Sequence, residues 1–145
     1  PIDWVDPPGS PDSKVDTAEG VYVTLVSAVD ADGNEIAGVR LPPVAVPLAT
    51  FTGWNVFRVL PDELADRDGS FVPFARTKAE REAVGDTRLS LAERYRSLDD
   101  YVAQVKACAD RLVADRLLLR ADADAYMEAA KASRAFVPVS AAAAK

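Results

Sequence analysis

The sequence has no histidine and only one cysteine, Cys108, in 145 residues. These two absences exclude a zinc site of the usual His/Cys kind, an internal disulfide, a haem ligand set and any Ser-His-Asp or Cys-His catalytic group within the chain. Long apolar runs are missing too. No stretch approaches the roughly 18 to 20 residues that span a bilayer, and the first residues lack the basic and apolar regions of a signal peptide. Positive charge is in deficit, with 17 Lys and Arg against 23 Asp and Glu. Binding to phosphate backbones depends on basic side chains displacing counterions, so nucleic acid is not an expected partner. The deficit is local: residues 1–72 carry 4 basic against 12 acidic groups, and residues 73–145 carry 13 against 11.

What is present suits one ordinary domain with a real core, since 49% of the residues are hydrophobic and a chain of this length buries roughly 68–70% of its unfolded surface. The first residue is Pro rather than Met, as expected of a processed product, an expressed piece or part of a longer protein. Residues 1–20 hold Pro1, Pro7, Pro8 and Pro11 with Gly9 and Gly20, which suits neither a helix nor a central strand. They form either a loose terminus or an extended arm whose Trp4 and Val5 anchor on a partner surface.

Residues 21–29, VYVTLVSAV, are β-branched and aromatic and run into Asp30, Ala31, Asp32, Gly33 and Asn34. The pattern predicts a strand, a turn with positive φ at Gly33, and a returning strand to Leu41, a hairpin over 21–41. Residues 42–75 open with prolines and carry Phe51, Trp54, Phe57, Phe71 and Phe74, predicting an aromatic, apolar loop that wraps a surface. Helices follow over 77–134. Thr77 with Glu80 and Ser90 with Glu93 make capping boxes, and Ser97 with Asp100 a shorter version. Gly85 should end a first helix over 78–84. The spacing of Leu98, Tyr101, Val102, Val105, Cys108, Ala109, Leu112 and Val113 predicts a long helix over 98–119 with one apolar face. Asp122 is the expected cap of a last helix, and residues 137–145 read as a frayed tail. The fold class is therefore α+β: a half of β-hairpin and proline-rich loop followed by a helical half.

Few candidate sites survive this reading. Asp30, Asp32, Asn34 and Glu35 resemble the opening of a calcium loop, but Gly33 and Leu41 stand at the wrong positions, and a tight turn explains the acids better. No Ser lies in a Gly-x-Ser-x-Gly elbow or three residues before a Lys, so none is activated in either known way. Cys108 on the apolar stripe reads as core. The acidic pairs Asp99/Asp100, Asp62/Glu63 and Asp66/Asp68 fall at helix starts and turns. The basic residues Arg76, Lys78 and Arg81 alternate with Glu80 and Glu82, as on a solvated face. No catalytic residue, metal site or cofactor is expected. The aromatic set is the most suggestive feature for contact with something larger.

Residues 29–42 (VDADGNEIAGVRLP), 46–55 (VPLATFTGWN) and 69–77 (GSFVPFART), with Ala92-Glu93-Arg94-Tyr95 and Asp100-Tyr101, resemble the C-terminal region of large bacterial α/β-hydrolase-domain proteins. The resemblance spans roughly residues 22–119. It implies an esterase-like protein whose nucleophilic Ser and catalytic His lie upstream of the matching region, so no catalytic role is carried to any position here. It further implies a C-terminal segment that packs on the catalytic part of a hydrolase. On residue type, Phe51, Trp54 and Phe57 are the expected substrate-pocket residues. The alternative is a stand-alone interaction module that docks through its helical stripe on another protein chain.

Overall fold

The computed structural model describes residues 27–56, 64–65 and 69–137. The expected arm over 1–20, residues 21–26 of the expected strand, Phe57, the acids Asp62, Glu63, Asp66 and Asp68, and the expected tail from residue 138 lie outside the described residues. The first described element is the turn itself. Asp30 N–H donates to the Asn34 carbonyl (2.8 Å) and Gly33 N–H to the Asp30 carbonyl (3.0 Å), with Gly33 at φ 77°. Among the described residues Val29 and Glu35 form a bridge across it and Ile36 N–H donates to the Ala28 carbonyl (3.1 Å); the rest of the hairpin expected over 21–41 would pair with residues 21–26, outside the described residues.

The stretch expected as a loop over 42–75 contains regular structure. Helix α1 spans Pro42–Ala45, with proline in its first turn; there a missing N–H costs nothing and the fixed φ suits the helix, so the two prolines start an element rather than prevent one. Strand β1 (Ala49–Thr52) pairs antiparallel with β4 (Ser70–Pro73), placing Phe51 opposite Phe71, and β2 (Asn55–Val56) pairs with β3 (Leu64–Ala65). The result is a ribbon with two short ladders rather than an irregular wrap. Pro73 sits at the end of an edge strand, where its missing N–H is tolerated.

Helices α2 (Lys78–Ala83), α3 (Leu91–Arg94), α4 (Leu98–Ala114) and α5 (Arg120–Lys131) follow. Thr77 and Glu80 cap each other reciprocally at α2, and Ser97 Oγ accepts from Asp100 N–H (3.1 Å) at α4. Helix α2 closes in a Schellman motif: Gly85, at φ 68°, donates to Glu82 (3.2 Å), and Asp86 donates to Arg81 (2.8 Å). Helix α4 uses the same device five residues before its expected end. Arg116 adopts φ 60° and donates to Val113 (3.0 Å), while Leu117 donates to Leu112 (2.8 Å). Leu119, not Asp122, holds the N-cap position of α5, without a side-chain cap, and Asp122 falls in its first turn.

The core joins Val46 and Phe74 to Leu91, Tyr95 and the buried stripe of α4, namely Tyr101, Val105, Cys108 and Leu112, with Ala130 of α5. Tyr95 meets Tyr101 edge-on at 5.1 Å between ring centres, and Phe136 covers both. Arginines fasten the ribbon to this core. Arg94 lies 4.3 Å and Arg88 5.2 Å from the centre of the Phe74 ring. Arg94 also grips Asp32, with Nη1 to Oδ2 at 2.8 Å, and Arg88 donates to Thr50 Oγ1 (2.8 Å) and the Val72 carbonyl (3.1 Å).

Two ion pairs of the helical half, Glu93 with Arg81 and Asp86 with Arg88, make stability sensitive to low pH. The hydrogen bonds from Arg81, and then those from Ser90, hold the Glu93 carboxyl well below its ordinary range. The side chain of Arg88, helped by its backbone N–H, brings Asp86 down to about 2. A carboxylate with a depressed folded pKa contributes stability that is fully present above its unfolded pKa, about 4, and is lost as the pH falls through the folded value. Urea midpoints measured from pH 6 downward are expected to hold steady and then fall below about pH 4.5, and Glu93→Gln should flatten part of that fall. A midpoint unchanged down to pH 2.5 would contradict this.

Candidate functional site

The turn over residues 30–35 is built onto β1. Asp30 Oδ1 accepts from the N–H groups of Asp32 (2.9 Å) and Asn34 (3.0 Å), and its other oxygen pairs with Arg40. Burial pushes the Asp30 carboxyl up, but the hydrogen bonds from Arg40, Asn34 and Asp32 outweigh it and the net direction is down. Asn34 is fully buried. Its Nδ2 donates to the Ala49 carbonyl (3.1 Å) and its Oδ1 accepts from Phe51 N–H (2.8 Å), so one side-chain amide completes the free edge of β1 as a neighbouring strand would. A Cβ on Gly33 would sit 2.8 Å from Thr50 Cγ2, which adds close approach to positive φ as a reason for glycine. Thr50 Oγ1 in turn donates to the Asp32 carbonyl. Of the acids that suggested a calcium loop, Asp30 and Asp32 are committed to arginines, and no group of three or more metal-ligating side chains occurs among the described residues.

Seating the turn on β1 forms a half-open cavity of about 230 Å³ whose walls include Val29, Glu35, Thr50, Phe51, Thr52 and Trp54. Two hydroxyls position Trp54: Thr52 Oγ1 and Ser70 Oγ (3.2 Å) both donate to its carbonyl. Phe51 is braced by Phe71, edge-on with ring centres 5.3 Å apart. The expected aromatic set therefore divides. Phe51 and Trp54 line one cavity, Phe71 supports Phe51 while remaining 62% exposed, and Phe74 is buried in the core; Phe57 lies outside the described residues. Sequence reasoning missed Val29 and Glu35 as pocket residues. The signal was available in the hairpin itself, because a five-residue turn from Asp30 to Asn34 makes its two flanking residues neighbours.

A wider groove of about 660 Å³ runs past the helix starts between Arg76, Glu80, Tyr95, Ser97 and Phe136. Its polar groups are engaged in structure. Glu80 Oε2 accepts from Arg76 N–H (2.8 Å), Arg76 donates to the Val137 carbonyl, and the Tyr95 hydroxyl donates to the Pro47 carbonyl (2.8 Å). Burial drives the Tyr95 phenol above its ordinary range, so it stays protonated and supplies no base. Among the described residues one serine hydroxyl touches a carboxylate, Ser90 Oγ to Glu93 Oε2 at 2.7 Å. It is not an activated nucleophile: Ser90 is fully buried, and the low pKa that Arg81 imposes makes Glu93 a poor base. Cys108 is likewise buried. The basic residues of α2 are paired, Arg81 with Glu93 at 2.7 and 2.9 Å and Lys78 with Glu82 at 3.7 Å.

Among the described residues no helix is long and apolar enough to cross a membrane. Residues 3–128 match a family model described as an alpha/beta hydrolase domain. No curated protein and no solved structure matches the chain.

Proposed function

The chain belongs to the alpha/beta hydrolase domain family, and on that premise we propose that it is a non-catalytic C-terminal segment of a larger serine hydrolase of esterase type, packing on the catalytic part and shaping its substrate pocket. One observation carries the reading. A chain of this family holds no histidine at any position; of its described serines, Ser70, Ser90, Ser97 and Ser133 serve backbone groups or a cap, and Ser27 lines the aromatic cavity with no imidazole in the chain to activate it. Serine hydrolysis needs a base to take the hydroxyl proton and donors to hold the oxyanion, and the base is lacking here. The parent would cleave a carboxylic ester through an acyl-enzyme, with residues of another segment as nucleophile and base. This segment contributes Phe51 and Trp54, together with Phe57, as an apolar wall.

Exposed apolar groups support a covered rather than solvent-facing ribbon: Val29, which lines the pocket, and Phe71, which braces Phe51, are each about half exposed or more, and exposed apolar side chains beside a pocket mark a contact surface. The test is hydrolysis of p-nitrophenyl acetate and butyrate by the 145-residue chain. No turnover above buffer is expected, and a fluorophosphonate label should modify none of its serines. Turnover abolished by replacing a serine of this chain would overturn the proposal.

A further inference from the structure

The run Asp30, Asp32, Glu35 is not treated evenly by the fold. Asp30 holds Arg40 and Asp32 holds Arg94, whereas Glu35 has no ion pair or side-chain hydrogen bond among the described residues. Glu35 lines the same cavity as Phe51 and Trp54. A Cβ built on Gly53, the residue before Trp54, would lie 3.6 Å from Glu35 Oε1, which places that oxygen against the segment carrying the indole. The cavity thus combines aliphatic and aromatic walls with one uncompensated negative charge.

That combination selects a ligand by charge. Aromatic faces carry negative potential and attract cations. A carboxylate beside them adds attraction for a cation and repels an anion, and low local polarity strengthens both effects. Size limits the ligand as well. A cavity of about 150 Å³ takes a benzene ring, so about 230 Å³ takes one ring or short branched chain and a small charged head. We propose that this cavity binds a compact organic cation, an alkylammonium or arylalkylammonium group, with its apolar body against Phe51 and Val29 and its charge between Trp54 and Glu35. The proposal rests on the reading of Phe51 and Trp54 as binding residues, and it points to ammonium-bearing esters as the substrate class. It does not depend on which segment carries the nucleophile.

The experiment uses the full chain with Trp4→Phe, which leaves Trp54 as the sole indole because the sequence has 2 tryptophans. Benzyltrimethylammonium, benzyl alcohol and benzenesulfonate are titrated while Trp54 fluorescence is followed. The cation is expected to give a saturable change that weakens about tenfold in Glu35→Gln, with benzyl alcohol binding both proteins alike and benzenesulfonate neither. Raising the salt concentration should weaken the cation alone, a readout on the unsubstituted Glu35 that decides the matter if the Gln variant alters the circular dichroism. No saturable response to the cation, or a response indifferent to both Glu35 and salt, overturns the proposal. Ester turnover by the chain itself would instead overturn only its non-catalytic assignment and leave the cation site standing.

Discussion

Replacing Phe74 with alanine is expected to lower the unfolding free energy by about 3–5 kcal/mol, the usual cost of emptying a buried phenylalanine site. Phe74 is 4% exposed and is the point where β4 enters the core. Its N–H donates to the Leu48 carbonyl (3.1 Å), which continues the ribbon past Pro73, and its ring carries the guanidinium groups of Arg88 and Arg94. The substitution therefore opens a cavity and removes the surface on which two arginines rest, each of them also tied to the ribbon. Phe74→Leu should keep the apolar volume and lose the ring, costing about 1–2 kcal/mol. Urea unfolding of the three proteins checks this, and an alanine variant within about 1 kcal/mol of the parent would show that the ribbon is not fastened here.

Asn34→Ala is the second large effect, at about 2–4 kcal/mol. Two hydrogen bonds contribute about 1 kcal/mol each, and stranding the Ala49 carbonyl and the Phe51 N–H adds the desolvation cost of unpaired groups. Asn34→Asp separates the two bonds: its carboxylate can still accept from Phe51 N–H but opposes a lone pair to the Ala49 carbonyl, so it should destabilise despite its near-identical shape. Hydrogen exchange gives a local measurement. The Phe51 amide is expected to exchange faster in the alanine variant, while amides in the middle of α4 follow only the global stability. Unchanged exchange at Phe51 would mean that the side-chain amide does not close the β1 edge.

The helical half was readable because its signals are local. Thr77, Ser90 and Ser97 mark three helix starts, the α4 stripe marks the buried face, and Gly85 marks an end. Where a local signal is absent the reading fails. Helix α4 stops at Arg116 in the same conformation that Gly85 adopts, but arginine carries no such mark, since side chains other than Gly and Asn seldom occupy it. The prolines of α1 misled for the opposite reason: proline excludes helix interiors but favours helix starts, and residues 42–45 are almost all start. Strands β1 and β4 lie 18 or more residues apart at their paired ends, and no single window contains both partners.

The candidate site divides along the same line. Phe51 and Trp54 stood out by residue type, and the turn acids stood out as a possible metal loop. Which aromatics share a cavity, and which carboxylate is left without a cation, depended on where Arg40 and Arg94 arrive from, and Arg94 lies 62 residues from Asp32.

By itself the sequence determined the helix starts, the buried stripe, the glycine turn and the lack of an imidazole base, because each depends on residue type or on spacing within a few residues. Only the tertiary structure decided that Asn34 serves as a strand, that Phe74 is core while Phe71 is exposed, and that Glu35 alone among the turn acids faces the aromatic cavity without a partner. Those outcomes arise from distant segments competing for the same charges and backbone edges, and that competition is settled only when the chain has closed on itself.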